Sequence, residues 1–292
     1  MSDATSRDAT SREATIVKAQ KPESSTVKQC CAAAYDSDAA RLLLGNSFHP
    51  GGTKLTERLG RLLQLSPRTR VLDVAAGRGA SALFLAKQFD CPVVGIDYSR
   101  KNIEVGNEEA RANGLDSGVA FEWADAEKLP FPNASFDAVI CECAFCTFPG
   151  KQAAASEFNR VLRPGGQVGL SDLTREGALA PELQGLMSWI GCIADALPLS
   201  GYEALLSGAG FTVSLTERHD GALVELVRQV QTRLLAAEVM VRLQKLVLPG
   251  FDLEGVKILA KHALAAIREG KLGYAFVVAS KQVQVFSGEA AA

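Results

Sequence analysis

Val71-Leu72-Asp73-Val74-Ala75-Ala76-Gly77-Arg78-Gly79-Ala80 reads as a short apolar strand running into a glycine-containing turn and then a helix. Glycines at 77 and 79 permit tight turning and close approach of the backbone to a ligand. The start of the following helix leaves free N–H groups that favour an anionic or polar ligand. Further on, Val93-Val94-Gly95-Ile96-Asp97 is a second strand closed by a carboxylate. A carboxylate there can accept both hydroxyls of a ribose. A Gly-x-Gly turn alone also fits an ordinary strand–helix loop. Joined to Asp97, it points to a nucleoside. Ala82 stands where a dinucleotide fingerprint carries its third glycine. That variant is tolerated, so the glycines by themselves leave NAD open.

Outward from this stretch, short apolar runs alternate with helical patterns. The expected strands are Val71–Val74, Val93–Ile96, Val119–Trp123, Ala138–Cys141, Gln167–Leu170, Thr212–Leu215 and Gly273–Ala279. Helices are expected over Ser81–Phe89, Lys101–Asn113, Lys151–Leu162 and Pro181–Ala194. Upstream, Thr53 can cap a helix whose Leu55, Leu59, Leu62 and Leu63 form one stripe, ended by Pro67. Such alternation implies right-handed crossovers, hence an α/β, Rossmann-like, mostly parallel seven-stranded sheet with helices on both faces. Between the last two strands, Leu223, Leu226, Val227, Val230 and Leu234 recur at helical spacing, Pro249-Gly250 breaks the helix, and a second spans Leu253 to Arg268. This helical insert, at about 221–270, is expected to cap the active site.

The chain therefore divides into a Ser-, Thr- and charge-rich tail at 1–24, expected to be disordered, one domain at 25–283 and a short tail at 284–292. A net charge of −2 gives no case for nucleic acid. No apolar run approaches bilayer length, and no secretory leader is apparent. A cytoplasmic protein with no membrane or nucleic-acid partner is expected, its oligomeric state open. The seven cysteines are odd in number and clustered, with Cys141, Cys143 and Cys146 close together and Cys30 beside Cys31. In a reducing compartment they read as ligands, catalytic groups or buried apolar residues rather than as disulfides.

Several ordered segments resemble the class I S-adenosylmethionine-dependent methyltransferases. They are Asp73–Gly79, Gly95–Ser99, Ala124–Phe131, Ser135–Asp137 and Glu157–Gly166. The resemblance covers about Val27 to Phe211 and implies S-adenosylmethionine as cofactor. It places Asp73, Ala75 and the Gly77–Gly79 turn at the methionine end, Asp97 and Tyr98 at the ribose, and Asp125 and Ala126 at the adenine. The loop Phe48-His49-Pro50-Gly51-Gly52 reads either as a closure over the methionine carboxylate or as a helix-entry turn, with His49 a surface or hinge residue.

A narrower resemblance concerns the acceptor. Val139–Lys151 together with Trp189–Leu197 is similar to arsenite methyltransferases. That likeness implies that Cys143 and Cys192 bind trivalent arsenic as substrate, with Cys30 or Cys31 assisting and Cys141 and Cys146 as further possible ligands. Asp195 departs from that family's glycine, and Cys141 and Cys146 lie outside its pattern. Two other readings stay open: methylation of an organic natural product, quinone or lipid-like acceptor under the insert, and a catalytically silent thiol sensor. An oxygen, nitrogen or carbon acceptor often needs a base, for which Glu142, Asp172 and His219 are the candidates. Asp172 also reads as a strand-end cap, His219 as an exposed residue and Cys91 as core.

Overall fold

The computed structural model describes residues 24–36, 38–45, 48–183, 192–247 and 252–283. Three helices come first: α1 (Ser24–Asp36), α2 (Asp38–Leu44) and α3 (Gly52–Leu62). The sheet follows as β1 (Val71–Val74), β2 (Val93–Asp97), β3 (Val119–Trp123), β4 (Phe136–Glu142) and β5 (Leu162–Arg175). Between these strands lie α4 (Ala80–Phe89), α5 (Arg100–Ala112) and α6 (Lys151–Val161). The chain then forms α7 (Leu199–Gly208), β6 (Phe211–Arg218), α8 (Asp220–Arg242), α9 (Leu253–Arg268) and β7 (Leu272–Lys281).

The strands lie in the order β3-β2-β1-β4-β5-β7-β6. β1 pairs in parallel with β2 and β4, and β7 runs antiparallel between β5 and β6. The sheet is thus mixed, with five parallel strands. Order reverses between β1 and β4, which opens a crevice beyond their C-terminal ends, the usual ligand position in such sheets. Val71, Leu72 and Val74 are buried on β1, and Val139 and Ile140 on β4. A near-continuous apolar strand of this kind is what covering on both faces requires.

Three glycines from separate elements converge on one ring. A Cβ on Gly79, Gly95 or Gly106 would stand 2.3, 2.5 or 2.9 Å from the Phe121 side chain. Phe121 of β3 is thereby locked against the turn after β1, the middle of β2 and α5. Gly79 has φ +89°, so both space and backbone demand glycine there.

The structure corrects several expectations. Thr53 is not a cap: α3 begins at Gly52 behind Gly51, whose φ of 76° sets the turn. Of the helix expected over Pro181–Ala194, Pro181–Leu183 forms a 3-10 turn and its last residues, from Cys192 on, are not helical. Residues 184–191 lie outside the described residues, and Cys192 sits in a turn, where Leu197 bridges to Thr174 of β5. The insert of α8 and α9 is present but does not cap the pocket. These helices pack on each other, on α2 and on β7, and none of their described residues lines the cofactor cavity. Strand order explains this, because β7 is separated from β1 by β4 and β5. Most of the 1–24 tail, the Pro249-Gly250 break and the 284–292 tail lie outside the described residues. No described helix is long and apolar enough to cross a membrane.

Candidate active site

One cavity runs along the C-terminal ends of β1, β2 and β4. Its wall includes Asp73, Ala75, Gly77, Asp97, Tyr98, Asp125 and Ala126. Of the residues expected at the cofactor, Gly79 alone is absent from that wall, and its role is to seat Phe121. Ala75 and Gly77 both have positive φ, 58° and 56°. A Cβ on Gly77 would meet nothing within 4 Å, so this turn offers bare backbone to a ligand.

Asp97 organises the next part of the site. One carboxylate oxygen accepts from Gly77 N at 2.9 Å, the other from Ser99 N at 2.8 Å and Asn102 Nδ2 at 3.2 Å. Ser99 in turn caps α5 by accepting from Asn102 N. At the far end, Asp125 holds Lys28 Nζ of α1 through both oxygens, at 2.9 and 2.8 Å. Lys28 also reaches Glu127 Oε2 at 2.7 Å. α1 thus lies over the end of the cavity where the resemblance places the adenine, an arrangement with no local signal in the sequence.

His49 is not at the surface: it is 7% exposed and lines the cavity. Its Nδ1 lies 3.2 Å from Pro50 O, and its Nε2 faces Thr56, Ser81 and Glu142. Glu142 accepts from Ser81 Oγ at 2.6 Å and from Thr56 Oγ1 at 3.1 Å. Of the three candidate bases, Glu142 alone lines the cavity. Asp172 is buried within β5, accepting from Cys146 N and Leu173 N, both at 2.8 Å. It therefore anchors the turn after β4 rather than capping a strand end. His219 is not exposed; it packs on Phe276 with ring centres 4.3 Å apart and pairs with Glu217, away from the cavity wall.

The cysteines separate clearly. Cys30 is exposed, and Cys91 is buried core with its thiol toward Leu85 O. Cys141 is buried off the cavity wall. Cys143 leaves the strand at φ +52°, and it lines the cavity with Cys31. Cys192, with φ +62°, places its sulfur 3.3 Å from Cys143 O and 3.2 Å from Tyr35 Oη. Its pKa is held well below the ordinary thiol value, first by the hydrogen bond from the Cys143 thiol and next by that from Cys146, against burial. Cys143 and Cys146 are pushed up correspondingly, Cys143 first by its bond to Cys192 and Cys146 first by burial. Asp195, the departure noted in the sequence, bonds Lys151 Nζ at 2.5 Å and ties the Cys192 turn to the start of α6. Among the described residues, no group of three or more His, Cys, Asp or Glu is arranged to hold a metal ion.

The Asp172 carboxyl is pushed up to about 7, first by burial and next by the charge of Cys192. Between the ordinary carboxylate value and that pH, the unfolded chain has lost this proton and the folded chain keeps it. Stability therefore falls as pH rises through that window. From pH 5 to pH 8, wild type should lose about 2.5 kcal/mol relative to Asp172→Asn. Urea unfolding of both at the two pH values measures this, and parallel pH profiles would refute it.

The comparisons with known proteins agree with this geometry. Residues 71–166 match a family described as a methyltransferase domain. The chain is 31% identical over 236 residues to 27-O-demethylrifamycin SV methyltransferase of Amycolatopsis mediterranei, covering 78% of this chain and 83% of that one. It is 33% identical over 162 residues to Methyltransferase GfsG of Streptomyces halstedii, covering 54% and 58%. A crystal structure of geranyl diphosphate C-methyltransferase from Streptomyces coelicolor A3(2), holding S-adenosylhomocysteine, superposes with a TM-score of 0.70 at 15% identity. It covers 89% of this chain and 100% of that one, and shows the fold in common.

Proposed function

Because the chain belongs to the class I S-adenosylmethionine-dependent methyltransferases, we propose that it methylates a small organic acceptor docked beside Cys143. S-adenosylmethionine supplies an electrophilic methyl carbon on a sulfonium. Asp97 holds its ribose, and Asp73 with the Gly77 backbone its amino-acid end. The observation that carries the acceptor reading is the cavity wall beyond Cys143. It consists of Tyr35, Phe48, Ala144, Thr147, Phe148 and Pro149. Tyr35 and Phe48 face each other with ring centres 5.9 Å apart. Walls of this kind shelter an apolar acceptor, exclude water and leave few polar groups to orient it. Methyl transfer is an in-line displacement, so such positioning supplies much of the rate. The rifamycin relative is named for an organic acceptor, which favours the same chemistry here.

A second reading has its own support. Cys143 and Cys192, 49 residues apart, are brought together by two left-handed turns. Thiolates suit soft ions, and trivalent arsenic is the acceptor that the sequence likeness implied. None of the relatives named above is named for arsenic. The two readings separate in one assay of S-adenosylhomocysteine release, using a panel of hydroxyl- and amine-bearing organic acceptors and, separately, arsenite with thiol. The organic reading predicts turnover on the panel that survives Cys143→Ser and Cys192→Ser. Arsenite turnover abolished by both substitutions, with no organic turnover, would replace it by the arsenic reading.

A further inference from the structure

Two buried carboxylates share the floor of the cavity, and neither has a full set of partners of its own. Asp73 on β1 is 2% exposed, and its Oδ2 has no hydrogen-bond partner. Glu142 ends β4, two residues beyond Ile140, which is paired with Asp73 across the parallel ladder. Its side chain is 4% exposed. Both line the same cavity. Burying an anion without a cation is costly, and burying two side by side compounds the cost.

We propose that Glu142 is a cofactor ligand that, with Asp73, receives the α-ammonium group of the methionine moiety. An ammonium carries three donors and one positive charge, which suits one unpaired carboxylate oxygen and one carboxylate held from behind. Glu142 is held in that way. Ser81 of α4 and Thr56 of α3 donate to it on the side where His49 packs, which fixes its rotamer. The Asp73 carboxyl is pushed well above its ordinary value, first by burial, then by Glu142 and then by Asp97. A cation between the pair would relieve that repulsion. This assignment rests on the cofactor of the family and not on which acceptor is used. It also gives Glu142 a binding role in place of the general base that its sequence position suggested.

Calorimetry with three probes tests it: S-adenosylhomocysteine, its analogue lacking the α-amino group, and methylthioadenosine, which lacks the whole amino-acid portion. Wild type should prefer S-adenosylhomocysteine over the deaminated analogue by tenfold or more. In Glu142→Gln that preference should shrink about tenfold while methylthioadenosine binds as in wild type. Leu59→Ala is the structural control. It removes a core side chain of α3 that lines no part of the cavity, so it should lower melting temperature and retain the preference. An undiminished preference in Glu142→Gln would overturn the proposal. Should that variant fail to fold, equal affinity of wild type for the two homocysteine probes would overturn it as well.

Discussion

Asp97→Ala should weaken S-adenosylhomocysteine binding by a hundredfold or more while the protein remains folded. Two ribose hydroxyls would lose charge-assisted bonds worth about 1.5–3 kcal/mol each. The structure adds a second loss. Asp97 also holds Gly77 N, Ser99 N and Asn102 Nδ2, so its removal frees the turn after β1 that presents backbone to the ligand. Asp97→Asn should fall between the two, because an amide oxygen can keep one of these bonds without the charge. Titration calorimetry measures the affinities, and a melting curve separates lost binding from lost fold. An alanine variant that binds within threefold of wild type would remove Asp97 from the site.

The largest effect on stability is expected at Gly79. Alanine there meets two penalties, a φ of +89° and a Cβ 2.3 Å from Phe121 Cζ. Backbone strain of this kind costs about 1–3 kcal/mol, and overpacking adds a similar amount. Gly79→Ala should therefore lose about 2–5 kcal/mol in urea unfolding. Adding Phe121→Leu should return part of that loss, since a smaller side chain frees the space. Gly77→Ala is the contrast, because nothing lies within 4 Å of its Cβ. It should lose only the backbone-strain part, about 1–2 kcal/mol, and lower cofactor affinity as well. Equal stability losses at the two glycines would refute this division of labour.

These two glycines illustrate what the sequence could and could not convey. Both belong to one motif and read alike, because a pattern records the type of residue and not what approaches it. The crossover strands were legible because β1 and β2 are near-continuous apolar runs and β3 begins by alternating buried with exposed residues. β1 and β3 matched their expected bounds, and β2 gained only Asp97. Asp97 was legible for the same reason: the end of the second strand is fixed by the fold. Long-range polar contacts were not. His49 stands alone in the sequence, and only the packing of α3 against α4 brings it beside Ser81 and Glu142. Lys28 reaches Asp125 across 97 residues, with nothing local to announce it. The insert was read correctly as helical and wrongly as a cap, because periodicity gives an apolar face without saying which strand it covers. The expected helix overran at Cys192, because apolar spacing continues into a turn that has φ +62° and is tied down by the Lys151–Asp195 contact.

The most direct test is a crystal structure with S-adenosylhomocysteine. The account predicts one molecule beyond β1 and β4, its ribose hydroxyls on Asp97, its α-amino group between Asp73 and Glu142, and its sulfur turned toward the Cys143 and Tyr35 wall. A molecule bound elsewhere, or one lying reversed with its adenine against Glu142, would contradict it.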